Sequence, residues 1–274
     1  MGSEKRAGNS AAGGRSQGDT AGSPAARRLG PLGLLYGVGT WLQFLVLGTL
    51  VVPILLLTPG LARRRALVRT LARLALHLAG MRLEVHGLER LPQPCIVVAN
   101  HSSYLDGVVL CATLPCWFSF VIKREMAAVP LAGTLLRRIG AEFVTRGDRA
   151  RGARDARRLL RQAETGQALV FFPEGTFGSR VGLQHFHIGA FAAAVRADLP
   201  LLPVAIHGTR QCLPPDSRWP RPGIIRIQAL APLPPQPAGS EQDDRKHALQ
   251  LRAAARAALL AALGEPDLDA GAPH

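Results

Sequence analysis

One short stretch of this chain combines residue types and spacing suited to acid–base chemistry: Asn100-His101-Ser102-Ser103-Tyr104-Leu105-Asp106. A histidine oriented by a carboxylate has its tautomer fixed and can take a proton from a hydroxyl. The apolar run Cys95-Ile96-Val97-Val98-Ala99 directly before it reads as a buried strand, so His101 falls at a strand's C-terminal end. Ser102 and Ser103 are expected to cap the helix that follows, with Asp106 near its first turn. On one continuous helix, residues five apart point about 140° from each other. The pair meets only if His101 lies outside the helix and turns back toward it. The nucleophile-elbow pattern Gly-x-Ser-x-Gly is absent around the two serines.

A His-x-x-x-x-Asp spacing occurs by chance in many chains, but here three further blocks follow in order. They are Gly140-Ala141-Glu142-Phe143-Val144-Thr145-Arg146, then Phe172-Pro173-Glu174-Gly175-Thr176, then Leu202-Pro203-Val204-Ala205-Ile206. As a four-block set over residues 81–230, the chain resembles the glycerolipid acyltransferases, which include the 1-acylglycerol-3-phosphate acyltransferases of phospholipid synthesis. The resemblance implies that His101 is the general base, Asp106 orients it, and the acceptor hydroxyl attacks an acyl thioester directly. It also implies that Arg146 binds the acceptor's phosphate, which a guanidinium can grip through two hydrogen bonds at once. Lys123, at another expected strand end, is a second candidate cation.

In the third block, Pro173 and Gly175 fix a turn whose amides can approach a ligand, with Thr176 beside them. Glu174 can either bond the acceptor or hold the loop's own amides. Relatives often carry arginine after the threonine, whereas this chain has Phe177, with Arg180 three places on. Histidine also stands at His187 where relatives often have lysine, and His185 and His187 read as binding or packing residues. These departures bear on the identity of the acceptor more than on the reaction type. Pro203-Val204-Ala205-Ile206 would form a wall beside the acyl chain or a plain core strand.

The elements that must position these groups alternate. Strand-like runs fall at 83–85, 95–99, 118–122, 142–144, 168–172, 201–206 and 224–228, and helical stretches at 106–113, 126–138, 149–165 and 190–197. Such alternation predicts an α/β fold with a mostly parallel sheet flanked by helices. A proline-rich loop spans 214–240, and a C-terminal helix is expected over 241–263. Residues 1–28 are Gly, Ser, Ala and charge, expected as a disordered tail. Residues 29–62 carry no charge, and the dense apolar run 32–57 is long enough to span a bilayer. Pro53 and four glycines leave open a segment that dips into one leaflet, and a cleaved signal peptide is the main alternative. The domain division is therefore 1–28 tail, 29–62 membrane-embedded segment, 63–264 acyltransferase domain and 265–274 flexible end. Residues 66–80 read as a basic amphipathic helix, either at the lipid interface or as a first core helix.

Arg63-Arg64-Arg65 outweighs Arg27-Arg28, which places the catalytic domain on the cytoplasmic side, at the inner membrane if the source is bacterial. The alanine- and arginine-rich composition hints at a GC-rich bacterial genome.

The formal charge of +14, from 33 Lys+Arg against 19 Asp+Glu, implies an anionic partner. Only 5% of residues are aromatic and no zinc-finger spacing occurs, so an acidic membrane and a phosphorylated substrate fit better than nucleic acid. Cys95, Cys111, Cys116 and Cys212 form no Cys-x-x-Cys pair, which points to a reducing compartment and no structural metal. The expected function is transfer of a fatty acyl group from acyl-CoA or acyl carrier protein to 1-acyl-sn-glycerol 3-phosphate, giving phosphatidic acid with no cofactor. Transfer to another lysophospholipid or a lyso-aminolipid is the alternative. From another class, a non-catalytic protein could hold anionic membrane with its basic surface. A binding scaffold, however, has no use for a base–carboxylate pair. The sequence leaves oligomeric state, acyl-chain length and donor open.

Overall fold

The computed structural model describes residues 30–145, 149–235 and 240–270. The expected disordered tail 1–28 and Arg146 lie outside the described residues. The chain begins with α1 (Pro31–Leu57), α2 (Leu61–Leu78) and β1 (Met81–His86). Next come β2 (Ile96–Ala99), α3 (Leu105–Thr113), β3 (Ser119–Lys123), α4 (Ala132–Arg138) and β4 (Glu142–Val144). The remainder is α5 (Arg149–Glu164), β5 (Leu169–Phe171), α6 (Gly189–Arg196), β6 (Leu201–His207), α7 (Thr209–Cys212), β7 (Gly223–Ala229) and α8 (Glu241–Leu263).

The seven strands form one sheet in the order β1-β7-β6-β2-β5-β3-β4. Every neighbouring pair is parallel except β6 with β7. Five strands therefore point the same way, and the C-terminal ends of β6, β2, β5, β3 and β4 share one edge. Crevices at that edge are where α/β sheets bind ligands. Helices cover both faces, so the central strand β2 is buried at every position and reads as an unbroken apolar run. Its side chains alternate between two cores. Val97 and Ala99 pack with Leu76, Val109 and Leu110 on the face of α2 and α3. Ile96 and Val98 pack with Leu159, Phe191 and Leu251 on the face of α5, α6 and α8.

All seven expected strands form. Three expectations are corrected. The single helix over 126–138 is broken into a 3-10 turn at Arg124–Ala128 and α4, because Pro130 has no amide donor and Leu131 has a φ of 59°. The helix expected from 66 begins at Leu61, so residues 61–62 belong to α2 and not to the apolar segment. The flexible end expected from 265 is tied down over the described part. Leu183 pairs with Asp267 in a parallel bridge, and the Leu268 amide donates to the Leu183 carbonyl at 3.0 Å.

Among the described residues, α1 is the one helix long and apolar enough to cross a membrane, and most of its apolar stretch is not buried against the domain. Leu35, Leu42, Leu45, Leu50 and Leu57 all stand exposed. Its other side is fastened to the domain. Tyr36 Oη donates to the Ala79 carbonyl, Gln43 Nε2 donates to the Ala75 carbonyl at 2.8 Å, and Val51 and Leu55 pack with Val68 and Ile139.

Candidate active site

The segment leaving β2 folds back on itself within six residues and brings His101 to Asp106. His101 Nδ1 lies 2.8 Å from Asp106 Oδ2, and the same oxygen accepts the amides of Ser102 at 2.6 Å and Ser103 at 2.8 Å. Asp106 is fully buried, and its Oδ1 accepts no hydrogen bond. A carboxylate only accepts, so Nδ1 carries the proton and Nε2 is left with a free lone pair. The histidine side chain is 19% exposed, enough to meet a substrate. It stacks on Phe172 with ring centroids 4.3 Å apart and takes Phe177 edge-on at 4.5 Å. Tyr104, exposed, meets the other side of Phe177 at 4.8 Å.

The serines behave differently from the expected caps. Ser103 Oγ accepts the Leu105 amide at 3.2 Å but donates to the Leu213 carbonyl, while Ser102 Oγ pairs with Thr209 Oγ1 at 3.1 Å. Both serines are buried, and their hydroxyls pin the loop to the segment after β6. Asp106 instead does the local capping, in reverse, by receiving the two amides ahead of its helix.

Glu174 leaves β5 beside β2. Its Oε1 accepts the His101 amide at 2.6 Å and its Oε2 the Gln184 amide at 2.9 Å. Of the two roles open to it, this geometry is that of a brace between loops. Burial pushes its carboxyl up to about 7, helped by the Asp106 charge and opposed by the two amides and by Arg256. The turn needs Gly175, whose φ is 79° and whose amide bonds the Phe172 carbonyl at 3.0 Å. Thr176 and Arg180 are exposed at the tip of this loop. The Arg180 carbonyl accepts from Arg210 Nη1 at 3.1 Å. Lys123, at the end of β3, is 44% exposed and 3.8 Å from Glu125.

Several supporting residues carried little signal in the sequence. Asn100 clamps β2 to β6 through the Ile206 amide (2.7 Å) and carbonyl (2.9 Å). Its place at a strand end was the one cue available. Arg210 lies in the first turn of α7, which follows Gly208, where a Cβ would come 2.1 Å from the Ile224 carbonyl. It holds the Gly178 and Arg180 carbonyls. Arg256, 11% exposed on α8, bonds the Gln184 and Leu183 carbonyls and Asp267, while His185 Nδ1 meets Asp269 at 3.0 Å. The residues around 265–269 thereby lock the 183–187 segment that carries the amide on Glu174. Among the described residues no group of three or more His, Cys, Asp or Glu is placed to hold a metal ion.

A His–Asp pair at the parallel edge of an α/β sheet is placed to take a proton from a hydroxyl, and comparison with known proteins gives the class of enzyme. A family model described as Acyltransferase matches residues 82–207. The chain is 33% identical over 236 residues to the lyso-ornithine lipid O-acyltransferase of Pseudomonas aeruginosa, covering 77% of this chain and 84% of that protein. It is 33% identical over 191 residues to the 1-acyl-sn-glycerol-3-phosphate acyltransferase of the same organism, covering 66% and 72%. It spans only 32% of the length of the human and mouse lysophospholipid acyltransferases LPCAT4 that it matches. The fold matches the crystal structure of the 1-acyl-sn-glycerophosphate (LPA) acyltransferase PlsC from Thermotoga maritima, with a TM-score of 0.66 at 23% identity, over 82% of this chain and 95% of that one. The chain belongs to the acyltransferase family.

Proposed function

We propose that this protein is a membrane-associated O-acyltransferase that moves a fatty acyl group from an acyl thioester, acyl-CoA or acyl carrier protein, to the free hydroxyl of a lysolipid. The observation that carries the reading is the buried Asp106 holding the proton on His101 Nδ1, so that Nε2 faces the substrate as a base. Nε2 takes the hydroxyl proton while the acceptor oxygen attacks the thioester carbonyl. As the tetrahedral intermediate collapses, the C–S bond breaks and the departing sulfur receives the proton from the imidazolium. Ser102 and Ser103 are buried with their hydroxyls engaged, which favours direct transfer over an acyl-enzyme.

The favoured acceptor is 1-acyl-sn-glycerol 3-phosphate, the substrate in the name of the Pseudomonas relative. Lys123 and Arg146 would bind its phosphate. A second reading, a lyso-ornithine lipid acceptor, is favoured by Phe177, which presses on His101 at the place where arginine is common in the resembling proteins. The relative named for that substrate covers more of the chain. The exposed apolar side of α1 supports membrane association, since contiguous apolar surface of this kind marks a binding face. Its fastening along the domain supports a helix that lies in one leaflet.

Membranes bearing the wild-type or His101→Ala chain, given labelled acyl-CoA and a panel of lysolipids, test the reading. Labelled phosphatidic acid from the wild type, falling about 10²–10⁴-fold in the variant, is the expected result. Transfer confined to lyso-ornithine lipid moves the acceptor to the second reading. No His101-dependent transfer from acyl-CoA or acyl carrier protein overturns both.

A further inference from the structure

The edge of the sheet that carries His101 also carries an apolar knob. Between β3 and α4 the chain reads Met126-Ala127-Ala128-Val129-Pro130-Leu131, and all but Ala127 are exposed. Met126 is 36% exposed, Val129 41% and Leu131 37%. Among the described residues outside α1, no other run of six exposes three large apolar side chains. Apolar side chains scattered singly over a surface are ordinary, whereas a contiguous group marks a binding face. We propose that this knob is a second membrane-contacting element, inserted among the acyl chains of an anionic bilayer. The proposal rests on the membrane-association reading above and adds to it a contact made by the acyltransferase domain itself.

The knob is held outward by its own backbone. The Val129 amide donates to the Met126 carbonyl at 3.3 Å, and the Gly133 amide donates to the Val129 carbonyl at 2.8 Å. Leu131 is the centre of a three-residue turn, closed by the Ala132 amide on the Pro130 carbonyl at 2.6 Å, with φ 59° and ψ −58°. That is the rare and strained form of such a turn. Gly133 is packed so closely that a Cβ there would come 2.2 Å from the Ala127 carbonyl. The turn is thus fixed in a form that keeps Leu131 out of the core.

Two observations select a bilayer as the occupant. The first is continuity with α1. From the knob, α4 leads directly to that helix and packs Leu135 and Leu136 on the cluster of Val51 and Leu55. The whole of α4 is only about 10 Å long, less than the ~15 Å hydrocarbon depth of one leaflet. The second observation is charge. Lys123 and Arg124 precede the knob and Arg137 and Arg138 follow it, against Glu125. Arg124 is engaged by Asp155, and Lys123 lies 3.8 Å from Glu125. Arg137 is exposed, and its Nη1 donates to the Ala127 carbonyl at 2.6 Å, which sets a guanidinium at the base of the knob. Apolar side chains beyond a basic rim suit the interface of an anionic membrane. The placement also suits a lipid acceptor. Lys123, a candidate for the acceptor's phosphate, ends the strand from which the knob springs. A lysolipid held there by its head would keep its own acyl chain in the hydrocarbon that the knob touches.

The full chain on vesicles containing phosphatidylglycerol tests this in two ways. Val129→Trp places an indole on the knob, and the vesicle lipids carry bromine in their acyl chains. The expected result is quenching of the added fluorescence beyond that of the three native tryptophans. Leu131→Gly, which relieves the positive φ, and Val129→Asp are then assayed for acyl transfer. One acceptor is a lysolipid embedded in vesicles, and the other is a short-chain lysolipid dissolved as monomer. The KM for the embedded acceptor should rise about tenfold, as for one large apolar side chain withdrawn from hydrocarbon, with kcat and the KM for the dissolved acceptor unchanged. Wild-type protein that sediments with the vesicles while the new indole stays unquenched overturns the proposal and leaves the membrane-association reading standing. An equal rise in KM for both acceptors also overturns it, since the knob would then touch the acceptor itself. So does a monomer–dimer equilibrium that the variants abolish with no change at vesicles, which would make a second copy the occupant. Wild-type protein that fails to sediment with the vesicles removes the reading and this proposal together.

Discussion

The proposed catalytic pair and the brace beside it are built in opposite ways. His101 and Asp106 are five residues apart, and the amides between them close the turn on a single carboxylate oxygen. Glu174 does comparable bonding work with groups brought from far along the chain. It receives amides from residues 73 positions before it and 10 after it, and the latter segment is held by Arg256. The local unit sets which atom carries the proton. The assembled unit sets how that atom is aimed, and it depends on the whole sheet, α8 and the segment after it. Chemistry that must not vary is encoded over a short distance here, while placement is delegated to tertiary packing.

Substitutions can break this contrast. The largest effect is expected from Asp106→Asn, which keeps the shape and removes the charge that fixes the tautomer. Its kcat should fall about 10²–10⁴-fold with the lysolipid KM little altered, measured as acyl transfer. A matching loss of thermal stability would show that the pair is not self-contained.

Glu174→Gln should act mainly on stability. A glutamine has one acceptor oxygen for two amides, and the lost bond should cost about 1–3 kcal/mol, read from denaturant melts. The pH dependence sharpens the test. Burial raises the Glu174 carboxyl to about 7 from 4.5, so between those values the folded chain holds a proton that the unfolded chain has released. Its contribution is fully present below pH 4.5 and is lost as pH rises through about 7. The Gln variant should lack that part of the slope in a Tm-versus-pH series.

The smallest expected effect is a shift in preference. Phe177→Arg should leave the base in place and raise use of 1-acyl-sn-glycerol 3-phosphate relative to lyso-ornithine lipid by several-fold, equivalent to about 1 kcal/mol for one exposed cation. Competition between the two acceptors in one assay measures it directly.

The sequence was most readable where the signal was local. Apolar runs located all seven strands, and the 140° argument required His101 to sit outside the helix, as it does. Helix limits were less legible. Pro130 was visible, yet the run over 126–138 hid a break that depends on Leu131 adopting a positive φ. The two roles open to Glu174 could not be separated from sequence, because the deciding partner, the Gln184 amide, is placed by α8. Arg256 is one arginine among many on an amphipathic helix, and nothing in its spacing marks the carbonyls it finds. The end of the chain was misread for the same reason. Small and acidic residues after 264 resemble a frayed terminus until Arg256 and His185 supply partners for Asp267 and Asp269.

The crowding of three donors on Asp106 Oδ2 also governs where protons travel. An oxygen that already receives two amides has no room to accept the imidazole's proton without giving those contacts up. In the proposed transfer the positive charge would therefore stay on the ring, and only the proton passing from the acceptor's oxygen through the ring's other nitrogen to the donor's sulfur would be in flight.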